Sequence, residues 1–264
     1  MALGLRLGYT TVSAGMDKLL RPMGTKSGLR FPISRSGLLA EWLFTEGSGQ
    51  VAHDSSGNAN HMTLGSTPVV DVNDPAWIPN GLLFNGVSAG CVVNLSLAPY
   101  NAMTIESWMK INLSGNFVNY PKTLMYGYTN RTDCSITGQG GGKNIYYDIY
   151  FWDGSTGHSE GHEILCPLNV WWHYVVTINK LASGYSDAFY CNGVLLATIN
   201  NINLVWTAPM QSPTQKLGFG CHNDFADNLP CTHGPTRVWT RALGADEVAS
   251  LYNYTIALTG GAAA

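Results

Sequence analysis

From residue 38 on, short runs of apolar, β-branched and aromatic positions are separated by polar stretches of Gly, Asn, Asp, Ser and Pro, while residues 1–37 keep no period of two or 3.6. The clearest run is Trp171-Trp172-His173-Tyr174-Val175-Val176-Thr177-Ile178, rich in β-branched and aromatic residues. After a polar loop at 182–185 comes Asp187-Ala188-Phe189-Tyr190-Cys191, then Asn192-Gly193, then Val194-Leu195-Leu196-Ala197-Thr198-Ile199. Asn-Gly between two strand-like runs predicts a type I′ hairpin, because that turn needs positive φ at both central residues. Successive strands with no helix between them must pair antiparallel. The same pattern predicts strands at 38–44, 61–64, 82–84, 91–94, 103–111, 123–128, 144–153, 163–166, 216–221 and 236–240. It leaves loops at 46–60, 74–81, 130–143, 154–161, 200–215 and 222–233. Near the C-terminus the period lengthens. Val248, Leu251 and Tyr252 stand at i, i+3 and i+4, and Asp246 and Glu247 suit a first turn, so a short helix is predicted over 246–252.

Four motifs resemble the laminin-G-like, concanavalin-A-like jelly-roll family over residues 38–255. They are Leu39-Ala40-Glu41-Trp42-Leu43-Phe44 with the Asp54-Ser55-Ser56-Gly57-Asn58 loop, then Thr104-Ile105-Glu106-Ser107-Trp108, then the Trp172-His173 hairpin, then Val238-Trp239-Thr240-Arg241-Ala242-Leu243 with Asp246-Glu247-Val248. The resemblance implies an all-β fold: an antiparallel two-sheet jelly-roll β-sandwich with one short C-terminal helix. It also implies structural roles for Trp108 and Trp172, and no catalytic role for Glu106, which the resembled binding modules carry without catalysis. Members carry Ser or Thr where Gly244 stands, which predicts a weak helix cap here.

Length and composition agree. A chain of 264 residues with 30 Gly and 12% charged residues suits one large β-domain better than a helical one. Three segments are expected: an N-terminal docking arm at 1–37, the jelly roll at 38–258 and a tail at 259–264. The arm is set apart by charge. Arg6, Lys18, Arg21, Lys26, Arg30 and Arg35 face one acid, Asp17, so its net charge is +5; the remaining 8 basic and 16 acidic residues give −8. Such an arm is either a solvated leader or an anchor for an acidic partner surface.

Arg6 breaks the first apolar run, so no secretory signal is expected, and no apolar run reaches the 18 residues of a membrane span. The six cysteines are then expected as free thiols, with Cys221–Cys231 as an alternative pairing. The sequons at Asn94, Asn112, Asn130 and Asn253 read as chance occurrences on the same ground.

The candidate binding strand is 144–153. Alternation puts Ile145, Tyr147, Ile149 and Phe151 on one face, read as core, and Tyr146, Asp148, Tyr150 and Trp152 on the other. Aromatic rings that stack on a pyranose beside a carboxylate that accepts hydroxyl hydrogen bonds form a sugar platform; the same rings could equally be covered by another element or subunit. Tyr126, Tyr128 and Trp77 would extend the platform. Asp54 and Asn58 offer oxygen ligands for calcium, though Asx turns use the same residues. His158, His162 and Cys166 have zinc spacing only if helical, which Gly154, Gly157 and Gly161 oppose.

The paired acids of the glucanases that share this fold are absent. So are the nucleophile-elbow, metalloprotease, P-loop and Cys-x-x-Cys motifs, and a basic-aromatic pattern for nucleic acid. The expectation is a non-enzymatic adhesion module that binds glycans or a host surface. It would be made in a host cytoplasm and mounted on a virion, as a capsid decoration, head fibre or tail appendage, by residues 1–37, and it could be a homo-oligomer. The alternative is an extracellular carbohydrate-active enzyme or its accessory binding domain.

Overall fold

The computed structural model describes residues 31–79, 81–95, 100–112, 122–127, 133–138, 145–152, 157–164, 168–182, 184–201, 216–221 and 225–258. In chain order the strands are β1 (Leu38–Trp42), β2 (Val51–Ala52), β3 (Met62–Thr63), β4 (Ala76–Ile78), β5 (Gly81–Asn85), β6 (Cys91–Asn94), β7 (Ala102–Ile111) and β8 (Lys122–Gly127). There follow β9 (Asp133–Gly138), β10 (Ile145–Trp152), β11 (Gly157–Ile164), β12 (Trp171–Lys180), β13 (Tyr185–Cys191), β14 (Val194–Asn201), β15 (Lys216–Phe219) and β16 (Pro230–Trp239), then helix α1 (Ala245–Leu258).

The strands form two main sheets, antiparallel throughout. The eight-stranded sheet runs β14-β13-β12-β7-β16-β5-β4, with β1 on the same side of β16 as β5. That sharing is possible because the first half of β16 pairs with β5 and the second half with β1. The six-stranded sheet runs β11-β10-β9-β8-β15-β6. This is the expected β-sandwich with one C-terminal helix.

Alternation sends Met103, Ile105, Met109 and Ile111 of β7, and Trp172, Tyr174, Val176 and Ile178 of β12, into the space between the sheets. Leu124, Ile136, Leu217 and Phe219 meet them from the other side. Trp42 and Phe44 each pack edge-on against the Phe219 ring, at 5.6 and 6.1 Å between centroids. Gly220, at φ +68°, has the Phe84 ring so close that a Cβ would fall 2.3 Å from it, so only glycine fits there. The Asn192-Gly193 turn has φ of 51° and 77°, the type I′ values its sequence demands.

The far face of the eight-stranded sheet has its own apolar cluster: Leu38, Val175, Tyr190 and Trp239 under Val248 and Leu251 of α1, with Phe31 and Ile33 packed against them. Residues 31–37, expected in the arm, therefore include side chains that pack on the sandwich. The helix is twice as long as predicted, and its weak Gly244 start is reinforced. Glu247 accepts the Gly244 amide at 3.1 Å and both guanidinium nitrogens of Arg241 at 2.7 Å. Those Arg241 hydrogen bonds hold the Glu247 carboxyl below its ordinary range.

Several expected loops are strands. β9 lies inside the expected 130–143 loop and β11 overlaps the expected 154–161 loop; both are made of small or polar residues whose only strong apolar marks are Ile136 and Ile164. β4 falls in the expected 74–81 loop, and β16 begins at Pro230, six residues before the predicted strand. Because β11 is extended, His158 and His162 are about 13 Å apart along the strand. The helical zinc spacing therefore does not arise; Cys166 lies outside the described residues. Cys91, Cys191, Cys221 and Cys231 are buried thiols, so the alternative Cys221–Cys231 disulfide is not formed. Among the described residues no helix is long and apolar enough to cross a membrane.

The Asp54 loop closes the open edge of β1. Asp54 Oδ1 accepts the Glu41 and Ser56 amides at 2.8 Å, and Oδ2 accepts the Asn60 amide at 2.9 Å and the Ser56 hydroxyl at 2.8 Å. Asn58 Nδ2 donates to the Leu38 and Leu39 carbonyls, and Asn60 Nδ2 to the latter as well. Burial works to raise the Asp54 carboxyl, but the amides of Ser56, Glu41 and Asn60 outweigh it and hold the group below its ordinary value. A group depressed in the folded state stabilises the fold above its unfolded pKa of about 3.9, and that contribution fades as pH falls through the folded value. Asp54→Asn replaces an acceptor with a donor that faces other donors. It is expected to cost about 2 kcal/mol at neutral pH and to flatten the loss of stability below pH ~4, measured by urea unfolding across pH. A variant whose acid slope matches the parent's would remove Asp54 from that role.

Candidate functional site

Strand register assembles one candidate surface. Ile136, buried in the core, stands opposite both Leu124 and Tyr147, and Leu217 stands opposite Tyr126. Those positions are on the core face. The alternate positions form rows across the other face. One row is Lys122, Thr137, Tyr146 and Glu163; the next is Met125, Ser135, Asp148 and Gly161; the third is Gly127, Asp133, Tyr150 and Ser159. Trp152 lies one step further, opposite Gly157. The register thus gathers Tyr146, Asp148, Tyr150 and Trp152 on one face, as the alternation of 144–153 predicts. It corrects Tyr126, whose position is on the core face with Leu217 and Cys134. Tyr128 lies outside the described residues, and Trp77 is spent elsewhere, donating to the Gly49 carbonyl at 2.8 Å.

Glu163, opposite Tyr146, is exposed, so this face reaches solvent at that row. The flanking partners of Asp148, Tyr150 and Trp152 are Ser135, Gly161, Asp133, Ser159 and Gly157, all short. Sequence reading missed Asp133, Ser135 and Ser159, because β9 and the first part of β11 carry too few apolar residues to announce themselves as strands; Glu163 was read at the start of a strand but not as part of this face. The period-two recurrence of Asp133, Ser135 and Thr137 was the available signal.

A second polar cluster is buried under α1. Glu41, Arg237 and Glu106 stand side by side in register on β1, β16 and β7. Arg237 Nε donates to Glu41 at 2.7 Å, and its Nη1 donates to both Glu106 oxygens at 3.0 Å. Arg35 closes one end on Glu41 at 2.9 Å, and His173 Nε2 donates to Glu106 at 3.0 Å at the other. Phe31 lies over both guanidinium groups, and the Trp108 and Tyr252 rings flank His173 at 5.1 and 5.8 Å. Burial works to raise the Glu106 carboxyl, but Arg237 and the His173 hydrogen bond hold it below the ordinary range. With no exposed atom on Glu106 or His173, this chain of charges binds the sheet to its cover and leaves no room for a substrate. The Ser107–His233 contact at 3.2 Å is equally enclosed, with Phe84 and Phe219 edge-on to the imidazole.

Asp54 and Asn58, the expected calcium ligands, direct their polar atoms to backbone and Ser56 partners at the β1 edge. Among the described residues no group of three or more His, Cys, Asp or Glu side chains could hold a metal ion. Of the expected arm cations, Arg35 is engaged by Glu41 and the Ser55 carbonyl, while Arg6, Lys18, Arg21, Lys26 and Arg30 lie outside the described residues.

No protein family and no curated protein matches the sequence. Solved structures do match. The botulinum neurotoxin serotype G binding domain superposes with a TM-score of 0.60 at 18% identity, over 81% of this chain and 50% of that one. The binding domain of botulinum neurotoxin DC, in complex with rat synaptotagmin II, superposes with a TM-score of 0.59 at 15% identity, over 84% and 52%. The serotype D binding domain superposes with a TM-score of 0.57 at 15% identity, over 83% and 52%. The chain thus spans about half the length of these binding domains and is similar to them in fold, as a β-sandwich of the jelly-roll kind.

Proposed function

We propose that this protein is a non-enzymatic binding module whose outer face of the six-stranded sheet grips glycans on a host surface. One observation carries the reading: the register that sets Tyr146, Asp148, Tyr150 and Trp152 opposite the core, with exposed Glu163 beside them. A row of aromatic positions along one strand suits the apolar faces of successive sugar rings, and carboxylates among them suit hydroxyl donors. Short neighbours on both flanking strands leave space for a ligand to lie across the row. Glu106, the acid of the Thr104–Trp108 motif, has no exposed atom and is spent on Arg237 and His173, which favours binding over turnover. The receptor-binding neurotoxin domains that share the fold are consistent with adhesion.

The setting we propose is a virion surface, with the basic segment as the anchor to the particle. Because Phe31 and Ile33 pack on the sandwich, the anchor is residues 1–30, bearing Arg6, Lys18, Arg21, Lys26 and Arg30.

Glycan arrays followed by calorimetry test the site. Trp152→Ala and Asp148→Ala are each expected to weaken binding about tenfold or more, with unfolding unchanged. Undiminished binding in both would remove the platform, and cleaved product from a polysaccharide library would make the protein an enzyme. For the setting, a chain lacking 1–30 should fold and bind glycan yet fail to join the particle; assembly without 1–30 would refute the anchor.

A further inference from the structure

A binding face selects the charge of its ligand by the charges it presents, and the outer face of the six-stranded sheet presents an uneven set. Register places Asp133 of β9 opposite Tyr150, Asp148 of β10 opposite Ser135 and Gly161, and Glu163 of β11 opposite Tyr146. The three acids therefore stand on one diagonal across neighbouring strands, each about 7–8 Å from the next. Asp148 also lies between Tyr146 and Tyr150 on its own strand, about 7 Å from each. Both margins of this face reach solvent, since Glu163 on β11 and Asn94 on β6, opposite Lys216, are exposed.

The cations of the face stand apart from the acids. Lys122 on β8 is three strands from Glu163, and Gly127 separates Lys216 on β15 from Asp133. Among the described residues, no Lys, Arg or His position of this face is opposite, diagonal to or two residues along the strand from any of the three acids. Carboxylates within about one Debye length (~8 Å) of each other, with no cation in register beside them, repel. A positive ligand relieves that repulsion. The faces of Tyr146 and Tyr150 would attract the same ligand, because an aromatic ring face draws cations. Residues 38–264, with 8 basic and 16 acidic residues, add a net charge of −8 that repels anionic glycans at a distance.

We propose that this face selects glycans bearing free amino groups over their N-acetylated forms and over sialylated or uronic-acid glycans. The proposal rests on the glycan reading above: the aromatic row holds the sugar rings, and the acid diagonal chooses their charge. A polymer lying along the diagonal presents successive ammonium groups to Asp133, Asp148 and Glu163. Each ammonium–carboxylate hydrogen bond is then charge-assisted, about twice as strong as the neutral bond that an N-acetyl amide would make.

Calorimetry on the full chain tests the selectivity with three probes: a glucosamine oligomer with free amines, the same oligomer N-acetylated, and a sialylated oligosaccharide. At about pH 5.5, where the carboxylates are charged, the free-amine oligomer is expected to bind about tenfold or more tighter than either of the others, and to weaken as salt rises. Asp148→Asn keeps the size of the side chain and removes its charge. It should cut affinity for the free-amine oligomer about fivefold or more and change that for the N-acetylated one less than about twofold. Asp246→Asn removes an equal charge at an exposed position of α1, against the other sheet, and should change neither. A neutral or sialylated glycan bound at least as tightly as the free-amine oligomer, equal effects of Asp148→Asn and Asp246→Asn, or free-amine binding that requires calcium would each overturn the selectivity and leave a glycan face in place. Binding of no glycan, here or on the array, would instead remove the glycan reading and this proposal with it.

Discussion

Replacing Arg237 with leucine is expected to lower the unfolding free energy by about 3–5 kcal/mol, measured by urea denaturation with tryptophan fluorescence. The guanidinium is the hub of the buried charges, hydrogen-bonded to Glu41 on one side and Glu106 on the other, and both carboxylates are all but sealed from water. Removing it leaves two acids in a dry layer under Phe31 and α1, one held by Arg35 and one by His173. The cost is the desolvation of those charges rather than the net worth of the pairs. Replacing Glu41, Glu106 and Arg237 together with leucines should therefore recover much of it. Acid should mimic the single substitution in part. The Glu106 carboxyl is depressed in the folded state, so its contribution is complete above about pH 4.3 and declines as pH falls through its folded value. A loss below about 1 kcal/mol for Arg237→Leu would mean these charges act like exposed pairs, and the buried reading would fail.

Trp42→Ala is the second large effect, expected to cost about 3–5 kcal/mol by the same measurement. Trp42 is wholly buried, meets Phe219 edge-on, and donates its indole N–H to the Asn60 carbonyl at 2.9 Å. It therefore fastens β1 both to the core and to the loop that closes the β1 edge. Trp42→Phe keeps a ring against Phe219 but strands the Asn60 carbonyl, and should cost about 1–2 kcal/mol. Equal losses in the two variants would mean that the volume at this site contributes nothing.

The long strands were legible because both halves of their signal are local. Trp172, Tyr174, Val176 and Ile178 alternate with His173 and Val175, and Asn192-Gly193 admits one kind of turn. β9 and β11 were not, since Asp133-Cys134-Ser135-Ile136-Thr137 becomes a strand only with β8 and β10 on either side to accept its hydrogen bonds. Of the candidate site, the β10 residues could be read from alternation alone. Asp133, Ser135, Ser159 and Glu163 could not, and Tyr126 was placed on the wrong face because the relative register of β8 and β10 is set through β9.

The sequence by itself determined the β architecture, the hairpin and the C-terminal helix, because period, turn chemistry and apolar spacing act within a few residues. Only the tertiary structure decided the fate of the polar residues. Glu41, Glu106, His173 and Arg237 come from strands far apart in the chain and join in one buried chain of charges, while Asp54 and Asn58 close a strand edge. The physical reason is that a polar side chain takes its role from the partner it meets, and in an antiparallel sandwich that partner is set by strand order and register.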